Sequence, residues 1–183
     1  MISSMNYCSL CGAKVELKIP EGDSLPRHVC MTCGEIHYLN PKIVVGCVAE
    51  WQGRILLCRR AIEPRYGLWT LPAGFMENGE STAQAAKRET LEEAGARVGS
   101  DQLFALINLP YINQVHLFYR AKLLDTEICP GIESLETALV FENEIPWTKL
   151  AFRSVELCLK AYIADRRSGA FGLHEQTLEL SGY

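Results

Sequence analysis

The chain has 183 residues, nearly half of them apolar, and carries a net charge of −4. These values indicate a globular protein of one ordinary domain, or one domain with a small appendage, and argue against a general nucleic-acid binder, which would be basic. Apolar runs stay well short of the roughly 18 residues that span a membrane, and the amino terminus lacks the basic start and apolar core of a secretory signal. We therefore expect a cytoplasmic protein.

Two matched cysteine pairs come first along the chain. In each pair two residues separate the cysteines and a glycine follows, and 18 residues lie between the pairs, which are formed by Cys8, Cys11, Cys30 and Cys33. This spacing is typical of a four-thiolate zinc ribbon, so we predict a structural Zn²⁺ bound by these cysteines. Disulfides are the alternative, which the lack of a secretory signal disfavours. About 38 residues without a sizeable core need such a metal to fold, so we predict a ribbon over residues 1–38 and the main domain over residues 39–183.

Strand patterns follow Asn40-Pro41. Residues 42–50 and 54–60 are apolar runs joined by the short turn Trp51-Gln52-Gly53, which predicts a hairpin. Residues 68–73 predict a further short strand that leads into a stretch rich in glycine and glutamate.

A helix is predicted over residues 82–94. Ser81 and Gln84 match a capping box at its start, and Gly95 matches a C-cap at its end. Small residues recur on one face, which suits close packing. Another face carries three acids at i, i+3 and i+4, namely Glu89, Glu92 and Glu93. Like charges at this spacing repel one another, so the cluster favours a site for a hard divalent cation such as Mg²⁺ over a solvated face.

The rest of the chain predicts more strands and a second helix. Strands are expected over residues 102–108, 114–123 and 137–141. Pro146 precedes an amphipathic pattern over residues 147–167, and Gly169 should end that helix. Residues 170–183 have little pattern to interpret.

The spacing of residues 74–96 resembles the signature of the Nudix hydrolases. The matching residues are Gly74, Glu80, Arg88, Glu89, Glu92, Glu93 and Gly95. Thr90 and Ala96 stand where bulky aliphatic residues are usual, a change that affects packing rather than chemistry. The resemblance implies an α+β fold, the Nudix α/β/α sandwich with a mixed sheet, here preceded by the zinc ribbon. It also implies hydrolysis of nucleoside diphosphates linked to another group, with Mg²⁺ or Mn²⁺ as cofactor.

Within this resemblance, each motif residue has an expected role. Glu89 and Glu93, one helical turn apart, are the first-choice metal ligands, and Glu92 is a close third. Glu92 and Glu93 are also expected to be catalytic, while Arg88 orients the carboxylates in a supporting role. Gly74 should let the backbone approach a metal or phosphate, because it has no Cβ.

Many similar enzymes use a further carboxylate from outside the motif. Residues 130–136 precede a predicted strand, as the corresponding loop does in zinc-ribbon relatives. Glu136 matches the position that serves there as a catalytic metal ligand, and Glu133 is the alternative. Both could instead be exposed loop acids.

Substrate recognition requires basic and aromatic groups near the motif. Arg59 and Arg65 are the candidates for a phosphate contact, although surface solvation is the simpler role for each. Arg60 follows Arg59 in a predicted strand, so at most one of the two should enter the cleft. Four aromatic residues could stack on a base or an isoalloxazine ring, namely Tyr66, Trp69, Phe75 and Tyr111. We select Phe75 and Tyr111, because Trp69 could equally pack in the core.

A zinc ribbon joined to a Nudix domain resembles the NADH pyrophosphatase group over almost the whole chain. That group carries the signature Ser-Gln-Pro-Trp-Pro-Phe-Pro-x-Ser shortly after the motif, whereas residues 106–116 here are LINLPYINQVH. Segments such as GLWTLPAGFMENGES and LAFRS look closer to plastid-type plant enzymes and bacterial relatives that act on ADP-ribose and FAD. We therefore expect hydrolysis of an ADP-linked nucleotide with release of AMP. The alternative is NADH hydrolysis or removal of an NAD cap from RNA.

The resemblance also implies a homodimer with a small-molecule substrate and no membrane partner. A different class of function is a nucleic-acid-binding ribbon or a ligand sensor without catalysis. Residues 1–40 contain three basic and four acidic residues, a poor composition for contacting a phosphate backbone. A pure sensor would have no reason to keep mutually repelling glutamates, so the enzyme hypothesis is preferred.

Overall fold

The structure, a computed structural model, describes residues 5–179, apart from the side chains of residues 100 and 101. The chain divides into two compact units, Met1–Pro41 and Lys42–Tyr183. The outer limits of the two predicted domains, residues 1–4 and 180–183, lie outside the described residues.

The first unit, as described over residues 5–41, is a three-stranded antiparallel sheet. Its strands pair in the order β1 (Val15–Lys18), β2 (Arg27–Cys30) and β3 (Ile36–His37). Each cysteine pair forms a tight turn, in which the N–H of Gly12 donates to the carbonyl of Cys8 and that of Gly34 to the carbonyl of Cys30. Both glycines have a positive φ, 73° and 78°, which side chains with a Cβ disfavour. The two turns are therefore equivalent, in line with the repeated sequence pattern.

The second unit, as described over residues 42–179, holds a mixed eight-stranded sheet between two helices. The strands are β4 (Lys42–Trp51), β5 (Arg54–Arg60), β6 (Trp69–Thr70), β7 (Ala73–Phe75), β8 (Val98–Leu109), β9 (Gln114–Leu123), β10 (Ser134–Val140) and β11 (His174–Thr177). The helices are α1 (Thr82–Ala94) and α2 (Arg153–Ser168), and short 3₁₀ helices cover Pro110–Ile112, Glu142–Glu144 and Trp147–Lys149. The strand order is β10-β5-β4-β9-β8-β11, with β6 on β5 and β7 on β4. The predicted α/β/α sandwich with a mixed sheet is confirmed.

Strands β4 and β5 diverge beyond their hairpin turn, and β6 and β7 fill the gap between them. Next to the turn, β4 and β5 pair directly. Farther along, β7 pairs with β4 and β6 pairs with β5. Gly46 permits this close approach, because a Cβ there would lie 2.5 Å from the Cβ of Ala73. The first residues of the glutamate motif are thereby placed in the middle of the sheet.

Apolar side chains cover both faces of the sheet. On one face, α2 packs on a cluster in which Phe104 and Tyr162 meet edge to face with their ring centroids 5.9 Å apart. On the other face, α1 packs through small buried residues, Ala85, Ala86 and Ala94. Small side chains let a helix approach its sheet closely, which brings the acidic residues of α1 near β7.

Some elements differ from the sequence predictions. The second helix begins at Arg153 instead of residue 147, because Leu150 bridges to Trp69 and the N–H of Ala151 donates to the carbonyl of Trp69. The predicted strand over residues 68–73 is split into β6 and β7. No helix among the described residues is long and apolar enough to cross a membrane.

Candidate active site and zinc site

The four predicted zinc ligands converge in the first unit. Their sulfur atoms all lie within 4.8 Å of one another, and among the described side chains no other group of three or more His, Cys, Asp or Glu residues does so. The Sγ–Sγ distance is 3.7 Å for Cys8 and Cys33 and 3.4 Å for Cys11 and Cys30. A tetrahedral Zn²⁺ with bonds of about 2.3 Å separates its sulfur ligands by about 3.8 Å. The cluster therefore fits a zinc ribbon.

His37 adds a contact to this cluster that the cysteine spacing does not reveal. Its Nε2 lies 3.3 Å from the Sγ of Cys8, and the N–H of Leu10 donates to the same sulfur at 3.4 Å. Backbone N–H groups at Cys11 and Leu10 lower the pKa of the Cys8 thiol to about 6 against the opposing effect of burial, and His37 contributes to the same shift. The thiolate is the form of cysteine that binds a metal.

Helix α1 forms with the ends that the sequence predicts. The Oγ of Ser81 accepts the N–H of Gln84, and the side chain of Gln84 accepts the N–H of Ser81. Gly95 ends the helix with a φ of 61°. Thr90, at the position of a usual aliphatic, is fully buried and its hydroxyl donates to the carbonyl of Ala86 at 2.7 Å. These local interactions set the direction in which the glutamates project.

The three glutamates of α1 lie in different environments. Glu89 and Glu93 are buried, with 9% and 7% exposure, whereas Glu92 is exposed. The Oε2 of Glu93 accepts the N–H of Ala73 at 3.1 Å. The carboxylate of Glu89 lies against Gly74, where an added Cβ would overlap both of its oxygens. The lack of a side chain at Gly74 thus makes room for a carboxylate of the same motif.

Arg88 connects the acidic residues to one another. Its guanidinium makes a two-pronged contact with Glu80, at 2.7 and 3.0 Å, and donates to the carbonyl of Phe75 at 3.1 Å. Its Nη1 donates to one oxygen of Glu89 and one of Glu92, both at 2.8 Å. Arg88 together with the N–H of Glu77 holds the pKa of the Glu80 carboxyl below its usual range. Glu80 therefore anchors the arginine that positions the other carboxylates.

The two buried carboxyls have raised pKa values. Burial is the main cause that raises the pKa of Glu89 and raises that of Glu93 to about 7, and the negative charge of Glu133 contributes to both shifts. Carboxylates that repel one another in a partly dry site are the donors that a hard divalent cation requires. The carboxylates of Glu89 and Glu93, together with that of the exposed Glu92 on the same helix, fit Mg²⁺ or Mn²⁺. In this arrangement Arg88 supplies the neighbouring positive charge to Glu89.

The loop before β10 packs against the carboxyl-terminal part of α1. The N–H of Gly131 donates to the carbonyl of Glu93 at 3.0 Å, and a Cβ at Gly131 would overlap the carbonyl of Glu92. Of the two candidate acids, Glu133 lies in this loop, and its charge raises the pKa of both buried glutamates. Glu136 is predicted to precede the strand but lies within β10, which begins at Ser134, in a partly exposed ion pair 3.7 Å from the Nη1 of Arg59. Both stay candidates for the further carboxylate.

Arg60 is a basic residue of the site that sequence reasoning did not select. It is 9% exposed, its guanidinium lies 5.0 Å from the ring centroid of Phe152, and its Nε donates to the carbonyl of Pro64. Its charge lowers the pKa of Glu93, so it lies within electrostatic reach of the buried carboxylates. The alternation of strand residues indicated that only one of two adjacent arginines could enter the cleft, but not which one.

The two arginines selected from the sequence, Arg59 and Arg65, are both accessible to solvent. Arg59 is partly exposed, and its Nε donates to the carbonyl of Gly67 at 3.0 Å. Arg65 is exposed in the loop after β5, with a positive φ of 69°. The structure brings neither of them against Glu89 or Glu93, and Arg59 contacts Glu136 instead.

The selected aromatic residues are both accessible. Phe75 is 47% exposed beside the motif, and the Nζ of Lys42 lies 5.0 Å from its ring centroid. Tyr111 is exposed on the 3₁₀ helix Pro110–Ile112. Trp69 packs against the core under α2, in agreement with its alternative role.

Comparisons with known proteins match both units. The Nudix N-terminal zinc-ribbon family model matches residues 6–39, and the NUDIX domain model matches residues 40–142. A NUDIX hydrolase from Nitrosomonas europaea has a solved structure that is 54% identical, with a TM-score of 0.92 over 95% of this chain and 99% of that one.

Curated relatives carry two different names. The NAD-capped RNA hydrolase NudC of Pseudomonas aeruginosa is 30% identical over 168 residues, which are 90% of this chain but 57% of that protein. An ADP-ribose pyrophosphatase of Methanocaldococcus jannaschii is 32% identical over 119 residues, 63% of this chain and 69% of that protein. The chain thus spans little more than half the length of the NudC relative.

Proposed function

Because this chain belongs to the Nudix hydrolase family, we propose that it hydrolyses the pyrophosphate bond of an ADP-linked nucleotide, FAD or ADP-ribose, and releases AMP. The observation that carries the proposal is the pair of buried glutamates, Glu89 and Glu93, of which Glu89 lies beside Gly74 and is bridged to the exposed Glu92 by Arg88. Water would add to phosphorus and the bridging oxygen would leave with the other half of the substrate. ADP-ribose would give AMP and ribose 5-phosphate, and FAD would give AMP and FMN.

The residues of α1 supply what this reaction needs. Glu89, Glu92 and Glu93 would hold Mg²⁺ or Mn²⁺, with Glu136 from β10 or Glu133 from the loop before it. When bound, such an ion neutralises phosphate oxygens and lowers the pKa of a water molecule. Arg88 keeps the carboxylates in place by holding Glu80, Glu89 and Glu92 at once. Arg60, which is buried near Glu93, would attract the phosphate groups into the site.

The choice of substrate rests on two supports. One curated relative is named an ADP-ribose pyrophosphatase, and residues 106–116 lack the proline- and aromatic-rich signature of the NADH pyrophosphatase group. The second candidate is NADH hydrolysis or NAD-cap removal, favoured by the name of the NudC relatives. A homodimer and a cytoplasmic location stay predictions from the resemblance.

Product analysis by HPLC tests the proposal. The purified chain would be offered ADP-ribose, FAD, NADH and NAD⁺ separately, with Mg²⁺ and with Mn²⁺, and a Glu93→Gln variant would control for contaminating activity. We expect AMP to form fastest from ADP-ribose or FAD and the variant to be silent. Faster hydrolysis of NADH would favour the second candidate, which NAD-capped RNA would then test. No cleavage with either metal would contradict the enzymatic proposal.

A further inference from the structure

The guanidinium of Arg60 uses only part of its hydrogen-bonding capacity within the protein. Its Nε donates to the carbonyl of Pro64 at 2.9 Å, and the group lies 5.0 Å from the ring centroid of Phe152. An arginine carries five N–H donors, of which one is on Nε. The donors on Nη1 and Nη2 have no hydrogen-bond or ion-pair partner in the part of the chain that the structure describes.

These unpaired donors of Arg60 are not sealed inside the protein. The residue is 9% exposed, and a buried charge without a partner is costly. Among the fully enclosed side-chain nitrogen and oxygen atoms of the described residues, the Oγ of Ser134 alone lacks a hydrogen-bond partner. Nη1 and Nη2 therefore reach an opening. A buried guanidinium with unpaired donors at an opening is suited to bind a phosphate, whose oxygens match its fork of N–H groups.

The backbone around Arg60 connects these donors to the acidic residues of the site. Arg60 pairs with Ser134 across β5 and β10, and the N–H of Ala61 donates to the carbonyl of Glu133 at 2.8 Å. The charge of Arg60 lowers the pKa of Glu93, whereas that of Glu133 raises it. The unpaired donors thus lie within electrostatic reach of a carboxylate to which the proposed function assigns the metal.

Phe152 offers Arg60 a fixed surface. It is half-buried, packs against the core cluster under α2 and is the N-cap residue of that helix. The N–H of the preceding residue, Ala151, donates to the carbonyl of Trp69 at 2.7 Å, and the carbonyl of Phe152 accepts the N–H of Val155 at 3.1 Å. A long arginine side chain otherwise samples many rotamers, so a fixed ring against its guanidinium limits where the charge can lie.

We propose that Phe152 is a positioning residue, which together with the carbonyl of Pro64 holds the guanidinium of Arg60 so that its Nη groups meet a phosphate of the substrate. The inference rests on the proposed function, because that function places a pyrophosphate next to Glu93. The Pro64 carbonyl occupies the Nε donor, which leaves the Nη donors for the phosphate. Leucine could replace the apolar packing of the ring but has no negative face for a cation.

A double-mutant comparison tests this inference. The KM and kcat for ADP-ribose would be measured in the wild type, Phe152→Leu, Arg60→Met and the double variant. We expect Phe152→Leu to raise KM about fivefold with little change in kcat. Phe152→Tyr, which keeps the ring, should stay near the wild type. In the Arg60→Met background, Phe152→Leu should raise KM no further. An equal rise in both backgrounds would overturn the inference, because Phe152 would then act without Arg60.

Phe171→Leu is the matched control. Phe171 is also half-buried, packs against the same core cluster and lies under another guanidinium, that of Arg120, 3.9 Å from its ring centroid. This variant should lower the thermal unfolding midpoint about as much as Phe152→Leu but leave KM unchanged. If Phe152→Leu likewise lowers only the midpoint, Phe152 contributes packing alone and the inference is wrong.

NMR of the wild type covers the case in which Phe152→Leu fails to fold. The Nε–H signal of Arg60, identified by its absence from Arg60→Met, should exchange with water more slowly than the Nε–H signals of exposed arginines. Exchange as fast as theirs would show that the guanidinium is not held in place, and the inference would fail.

Binding of methylenediphosphonate, a pyrophosphate analogue that resists hydrolysis, separates this inference from the proposed reaction. Calorimetry with Mg²⁺ should show about fivefold tighter binding to the wild type than to Phe152→Leu. That result would support the positioning role even if no ADP-linked nucleotide is cleaved, in which case the proposed reaction alone fails. Equal affinities, or no binding to the wild type, would contradict the positioning role even if ADP-ribose is hydrolysed.

Discussion

The carboxylate of Glu89 takes up the space that a Cβ on Gly74 would need. This contact joins β7, in the middle of the sheet, to the helix that carries the acidic residues. The obstructing atoms are the end of a flexible side chain, which can move at small cost. The glycine therefore matters for where Glu89 lies more than for whether the chain folds.

Gly74→Ala should accordingly reduce activity with little loss of stability. A displacement of Glu89 by about 1 Å would lower kcat about 100-fold, while the thermal unfolding midpoint should change little. Gly172→Ala is the control, since a Cβ there meets nothing within 4 Å. A large fall in the unfolding midpoint with unchanged kcat would contradict this prediction.

Gly131→Ala should instead lower the stability of the fold. Its Cβ would overlap the backbone carbonyl of Glu92, which the helix holds rigidly, so the loop that carries Glu133 and leads into β10 must shift. We expect a loss of roughly 2 kcal/mol in the free energy of unfolding, as for other forced overlaps in packed structure. Urea unfolding compared with Gly172→Ala measures it, and equal midpoints would show that the loop accommodates the methyl group.

Arg60 and Arg59 offer a direct comparison between neighbours. Arg60→Met keeps an apolar contact with Phe152 but removes the charge near Glu93, so KM should rise by about tenfold or more. Arg59→Met should change KM little, because its ion pair with Glu136 is partly exposed and such pairs contribute little. Steady-state kinetics on the best substrate measures both KM values. A larger rise in KM for Arg59→Met than for Arg60→Met would support Arg59 as the phosphate contact, as the sequence predicted.

The raised pKa of Glu93 predicts a pH-dependent stability in the absence of added divalent metal. A carboxyl whose folded pKa lies above its ordinary value of 4.5 stabilises the fold below that value and loses this contribution as pH rises through about 7. Across that window the wild type should lose about 3 kcal/mol relative to Glu93→Gln, which stays neutral. Chemical unfolding of both proteins at several pH values measures the difference. If the two curves of unfolding free energy against pH are parallel, the pKa of Glu93 is not raised in the folded protein. If Glu93 is a metal ligand, added Mg²⁺ should reduce the pH dependence of the wild type.

His37 should slow the loss of zinc from the ribbon. Its contact with the Cys8 sulfur is of the kind that orients a metal ligand from outside the coordination sphere, and removing such a partner weakens metal binding about 10- to 100-fold. His37→Ala should release zinc faster to a coloured chelator, and His37→Gln, which keeps an N–H donor, should recover part of the effect. Glu16→Gln on the exposed side of β1 is the control. Equal release rates for all four proteins would show that the contact does not hold the metal.

Local patterns made much of the fold and site predictable. Helix α1 and its caps follow from residues that lie within a few positions of one another, and the cysteine cluster follows from two short pairs of the same pattern, so spacing alone identifies them. The choice between Arg59 and Arg60 depends instead on which way β5 faces between distant neighbours. The relation of Glu133 and Glu136 to the site depends on an irregularity in the pairing of β10 with β5. Neither is encoded in a short window of sequence.

Strand β11 is another element that local sequence patterns do not predict. Its residues, His174–Thr177, are polar and lack alternation, yet they pair in parallel with β8. The pairing depends on a neighbouring strand more than sixty residues earlier, which no pattern within the tail could indicate.

The pairing of β4 with β9 sets the order in which the chain can acquire this structure during synthesis. These strands run parallel from Lys42–Gln114 to Glu50–Lys122, so the centre of the sheet cannot close until residue 122 has left the ribosome. Until then α1 and its crowded carboxylates have one half of a sheet to pack on, and β4 stays an open edge that could pair with another nascent chain. The cysteine unit involves contacts between near neighbours and can close around zinc long before that point.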